Sequence, residues 1–248
     1  MRRFQAFRAQ LFSGPLITLI TISFGAFVLL WMLQHGFAAV ELSASDQGHS
    51  HHGLTFPMGY EMLNWCVMVI AMMTPLVAHN LSYVRSAVDA RIRGSVALAF
   101  LLGYWAVWCV TGLFLMPLTA LILALADANI AFLIMILGGL IYSASPIAQL
   151  GRNLCHQSQR LEAFGAPAQW SSARYGLVTG MRCTLVCWPW MIVPMLALSG
   201  HMAAMIIVTV FLFFDRLSLP TKPAWRIPPA LGTVFGPRLG VPALNGPA

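Results

Sequence analysis

The chain has 248 residues, 59% of them hydrophobic and only 8% charged, with a mean hydropathy of +0.78. A soluble surface needs roughly a quarter charged residues, so a water-soluble domain is excluded. The net charge of +7 would suit a nucleic-acid partner, but the 14 Lys and Arg residues sort by membrane side, which makes the basic balance a matter of topology and argues against nucleic acid.

Backbone groups in hydrocarbon must be paired within the chain, so membrane spans are helices or closed barrels. The apolar runs here are long and lack the alternation of barrel strands. They predict an all-α polytopic helix bundle of six spans, with a basic segment over 1–14, the bundle over 15–217 and a tail over 218–248. Positive charge gathers at Arg2, Arg3 and Arg8, at Arg85, Arg91 and Arg93, at Arg152, Arg160 and Arg174, and in the tail from Arg216 to Arg238. None falls in a loop predicted to face outside, so both termini are expected in the cytoplasm.

Span one is the apolar run Leu16 to Leu33, too long for a signal-peptide core. It is expected to emerge at His35 into an outer loop carrying Glu41, Asp46 and the histidines His49, His51 and His52. Those imidazoles suit either a solvated loop or loose capture of a metal ion. Span two, from Tyr60 to His79, carries Glu61, Trp65, Met68 and Met72 along one helical stripe and Met62, Cys66, Val69 and Met73 along the next. Its sulfur-rich side serves packing or ligation of a soft ion.

Span three runs from Val96 to Pro117, followed by an apolar outer connection over Leu118 to Ala128. Span four, Ile130 to Ala148, contains Gly138 and Gly139, which permit close helix packing. Pro146 ends it, and the following polar loop from Gln149 to Arg174 holds Cys155 and His156, a surface pair or a metal contact at the cytoplasmic face. Span five, Gly176 to Ser199, presents Gly176 and Gly180 on one face and Cys183 and Cys187 four residues apart. Pro189 would free the carbonyl of Leu185, four residues back. Arg182 either faces the bundle, where its charge would favour thiolate, or snorkels to the cytoplasmic headgroups, which its place near the boundary allows. Span six, Met202 to Phe214, follows a tight turn at Gly200 and His201, so spans five and six must be antiparallel neighbours. The tail from Ser218 has seven prolines and four glycines and is expected to be mostly disordered.

Four of the five cysteines fall in spans and Cys155 in a cytoplasmic loop, so no exported disulfide framework is available. At about 1.5 Å per residue, Met72 and Cys183 each lie about 10 Å from the cytoplasmic boundary and Met68 and Cys187 each about 16 Å. The two sulfur pairs are level, which permits a shared site. Thiolate and thioether ligands together select Cu(I), whereas hard cations need carboxylates that this interior lacks.

WCVMVIAMMTP from Trp65, GGLIYSASP from Gly138, and GLVTGMRCTLVCWPWM from Gly176 followed by GHM resemble a bacterial family of predicted metal-binding integral membrane proteins, domain of unknown function 2182. The resemblance covers Gly59 to Arg216. It implies a multi-span inner-membrane protein linked to copper, with no established reaction. Members have two cysteines four apart after the span-four proline, where this chain has Gly151 and Cys155. They have Cys-x-Gly-Cys-Cys-Trp in span five, where Val186 replaces the middle cysteine, and an Asn in the following turn where this chain has Ala203.

Two functions compete on this reading. One is binding or passing Cu(I), with the loop histidines as capture, Met68, Met72 and Met73 with Cys183 and Cys187 inside the membrane, and Cys155 and His156 as an inner exit towards a metallochaperone. The other is an accessory or assembly subunit of a larger membrane complex. A haem carrier fits less well, since the histidines near the spans, His35, His79 and His201, sit at boundaries. No hydrolytic triad or carboxylate pair can be assembled within the spans, so catalysis is not expected.

Overall fold

The computed structural model describes residues 14–45, 58–197, 200–218 and 220–231. The described elements are helical, with no strand among them. In chain order they are α1 (Gly14–Ser45), α2 (Met58–Met73), a 3-10 turn (Pro75–Val77), α3 (Ala78–Ala87), a second 3-10 turn (Ala90–Ile92), α4 (Arg93–Leu125), α5 (Ala128–Ala144), α6 (Pro146–Cys155), α7 (Gly165–Leu196) and α8 (His201–Arg216). They form two compact units, Met1–Leu121 with Ser158–Met181 and Ile122–Gln157 with Arg182–Ala248. Helix α7 gives its first part to one and its second part to the other.

By length and composition, α1, α4 and α7 are each able to cross a membrane. Two bent pairs also qualify when each is taken as one span. These are α2 with the segment through α3, bent by 44°, and α5 with α6, bent by 69°.

Several boundaries differ from the pattern of the sequence. Helix α1 runs to Ser45, ten residues past His35, in keeping with the helix formers Ala38, Ala39, Glu41 and Leu42 along that stretch. Span two is broken after Met73, where Pro75 cannot donate to the helical ladder and opens a 3-10 turn. Helix α4 passes straight through Pro117, so the expected outer connection is its continuation; the Leu-, Ala- and Ile-rich sequence on both sides outweighs one missing donor. The segment after Ala144 is helix α6, not a loop. Ser145 accepts from the amide of Ala148 as its N-cap and Pro146 occupies the first helical position, the Ser-Pro arrangement that starts helices. Helix α7 likewise begins at Gly165, eleven residues before Gly176.

In the first unit, α4 and the first part of α7 meet through small residues. A β-carbon at Gly176 would collide with the carbonyl of Phe100, one at Gly103 with that of Ala173, and one at Gly180 would lie 2.9 Å from Val107. The expected small face is therefore where two backbones touch. Ser172 donates to the carbonyl of Val96 (2.9 Å), and Asn80 to the hydroxyl of buried Tyr175 (2.7 Å).

In the second unit, Trp190 is the hub. Its indole lies over Gly139, donates to Ser143 Oγ (2.9 Å) and packs against Phe211 with ring centres 4.4 Å apart. Gly138 faces open space, so of the glycine pair only Gly139 serves packing. Part of the tail is fixed: Asn153 donates to the carbonyl of Thr221 (2.7 Å), the amide of Arg226 donates to Ala144 (3.0 Å), and Ala230 is buried. The disorder expected from Ser218 therefore does not extend over residues 220–231.

Candidate metal centres

Cys183 and Cys187 lie on the second part of α7, both buried, with their sulfurs 3.7 Å apart. The four-residue spacing on a helix brings the two thiols over one another. Just beyond them Pro189 removes a helical donor, and the carbonyl it frees, that of Leu185, accepts from the Tyr142 hydroxyl of α5. The break is thus closed by a side chain and the thiols are held on a fixed backbone.

Helix α6 brings a third thiol to the same unit. Cys155, its last residue, is buried and within electrostatic range of Cys183, with Arg216 lying against it. The Arg182 guanidinium donates to the carbonyls of Leu154 (2.9 Å) and Gln157 (3.1 Å), at the C-terminal end of α6, where a helix offers negative potential. His156 follows as the C-cap of α6, its amide bonded back to Asn153 and Leu154.

The two positions that depart from the resembled family's cysteines face one another. A β-carbon on Gly151 would lie 2.6 Å from Val186 Cγ2. The branched valine fills the room that a side chain at 151 would need.

In the same unit, Arg152 is buried and makes an ion pair with Asp215 at the end of α8 (3.1 Å). It also donates to the carbonyl of Ser143 (3.0 Å) and to Gln149 Oε1 (2.9 Å). This buried charge network ties α5, α6 and α8 together.

Met68, Met72 and Met73 are buried in the first unit. Around them, Ser23 of α1 donates to the carbonyl of Ala71, and Tyr104 of α4 lies 3.5 Å from that of Met73. The methionines and the cysteines of α7 belong to different units, so each set stands on its own geometry. The loop histidines His49, His51 and His52 lie outside the described residues. Among the described residues, no three His, Cys, Asp or Glu side chains are grouped as a metal site would need.

One pair stands outside every site set read from the sequence. Cys66 of α2 and Cys109 of α4 place their sulfurs 2.9 Å apart, and neither is in a disulfide. A signal was present: each cysteine directly follows a tryptophan, Trp65 and Trp108. The meeting of two spans separated by 43 residues was not in it.

The fold defines an all-α protein with helices of membrane-crossing length and buried thiols on α6 and α7. A family model described as PpoB2, copper chaperone, matches residues 62–237. The chain belongs to this copper chaperone family, which agrees with the copper link implied by the resemblance but bears a different family name. Comparison with curated proteins and with solved structures found no match.

Proposed function

We propose that this chain is a membrane-integral Cu(I)-handling protein, with six spans in the bacterial cytoplasmic membrane and both termini inside. It binds copper through sulfur and passes it on by ligand exchange, in trafficking or homeostasis, with no chemical reaction of its own. The observation that carries the reading is the Cys183–Cys187 pair, two buried thiols 3.7 Å apart, in a member of a copper chaperone family. Thiolates prefer Cu(I) over hard cations. Cys155 and His156 form the cytoplasmic exit, towards a metallochaperone or a neighbouring membrane subunit. Met68, Met72 and Met73 supply weaker thioether donors, and His49, His51 and His52 capture the ion outside.

The test is copper per protomer after anaerobic purification with Cu(I), for the natural chain and for a Cys183→Ser, Cys187→Ser variant of equal thermal stability. The variant is expected to hold about one equivalent less, since removing ligands removes the ion they hold. If the natural chain holds no copper and does not alter copper uptake into vesicles, the reading fails. Co-purification of a stoichiometric membrane partner with such a copper-free chain would favour an accessory subunit.

A further inference from the structure

Cys66 and Cys109 sit on two helices whose register is locked. Trp65 Nε1 donates to the carbonyl of Trp108 (2.9 Å), and a β-carbon on Gly112 would strike the Trp65 indole. Each tryptophan is buried and directly precedes one cysteine, so the contact that fixes the helices also fixes the thiols. The sulfurs are 2.9 Å apart and both residues are only half-buried. Met62 lies one turn before Cys66 on the same face of α2.

We propose that Cys66 and Cys109 form a second soft-metal site, a two-thiolate clamp for Cu(I) in the first unit, separate from the α7 thiols. Metal–thiolate bonds of about 2.3 Å place two sulfurs sharing an ion no more than about 4.6 Å apart, so the thiols need only swing apart by side-chain rotation. Zinc sites and iron–sulfur clusters need about four protein ligands, and no third His, Cys, Asp or Glu joins this pair among the described residues. Cu(I) is the soft ion that two thiolates satisfy. On binding, two S–H bonds break and two Cu–S bonds form. Both protons leave to solvent, the copper stays Cu(I) and no electron moves. The identity of the ion rests on the copper reading above; the site itself rests on the sulfur pair.

The test titrates Cu(I), buffered by a colorimetric chelator, into the full chain in lipid nanodiscs under anaerobic, reducing conditions. Four proteins are compared: natural, Cys66→Ser with Cys109→Ser, Cys183→Ser with Cys187→Ser, and all four replaced. The Cys66/Cys109 variant is expected to lose about one equivalent that the α7 variant keeps, and that equivalent should tighten about 100-fold per pH unit, as release of two protons requires. In the natural chain, Cu(I) should shield both Cys66 and Cys109 from alkylation in peptide maps, which needs no variant to fold. The proposal is overturned if the Cys66/Cys109 variant keeps all its copper, or if the two thiols alkylate at the same rate with and without Cu(I). It is also overturned if peptide maps of the purified chain show them already joined as a disulfide. Loss at the α7 thiols with no loss at Cys66 and Cys109 would sink this site alone. The reverse pattern would keep this site and remove the α7 thiols from the copper path.

Discussion

At the scale of single residues, Gly151 and Val186 are read together or not at all. Each alone is a departure from the resembled pattern, and their contact makes them one change in two places. With a β-carbon 2.6 Å from Val186 Cγ2, Gly151→Cys should overpack the α6–α7 contact and cost about 1–3 kcal/mol. Val186→Cys removes one γ branch and should cost about 1 kcal/mol, as small core truncations do. Together they should cost less than the sum, with a favourable coupling of about 1 kcal/mol in a thermal-unfolding cycle. Strict additivity would mean that the two side chains do not share the space. Residue types and spacings in the sequence were enough to nominate Cys155, Cys183 and Cys187. They could not reveal that Arg182 turns to the end of α6, because that depends on a helix whose Ser145–Pro146 start looked like the end of a span.

At the scale of elements, each proline acted according to what surrounds it. Pro75 and Pro146 stand at helix breaks, and the chain bends there by 44° and 69°. Pro117, Pro189 and Pro194 stand inside helices. At Pro189 the freed Leu185 carbonyl has a partner in Tyr142, so Tyr142→Phe should leave that acceptor bare and lower stability by about 1–3 kcal/mol. An unchanged melting temperature would show that lipid-facing or neighbouring groups satisfy the carbonyl instead. The period of 3.6 made the helices legible in the sequence; the partners that repair their breaks come from 43 residues away and were not. The Arg152–Asp215 pair has the same character. Asp215→Asn should be among the most damaging changes in the second unit, by about 3–5 kcal/mol, because it leaves a buried guanidinium without its counter-charge. Replacing both partners with apolar residues of similar size should recover much of the loss, and failure to do so would assign the cost to Gln149 and Ser143 as well.

At the scale of the whole molecule, the open quantity is parity. Three single helices and two bent pairs are long and apolar enough to cross a bilayer, and five crossings would put the two ends on opposite sides. Helix α8 decides the matter. Its 16 residues span about 24 Å, short of a hydrocarbon core of about 30 Å, a mismatch that local thinning of the bilayer can absorb at modest cost. Against this deficit stands the charge around its end. Arg216 ends α8 and Lys222 and Arg226 follow it, Asp215 of α8 pairs with Arg152 of α6, and holding such a cluster on the cytoplasmic side is what the positive-inside rule describes. The expectation is six crossings and a cytoplasmic tail. A fluorescent protein fused after Ala248, which matures only in the cytoplasm, should therefore be bright, while a phosphatase active only outside should be inactive there and active when inserted near residue 50. The opposite pattern at the tail would make α8 a surface helix and leave five spans. The α6 end with Cys155 lies two helices before that tail, so the same fusion series, continued at residue 157, would also report on which side the proposed exit opens.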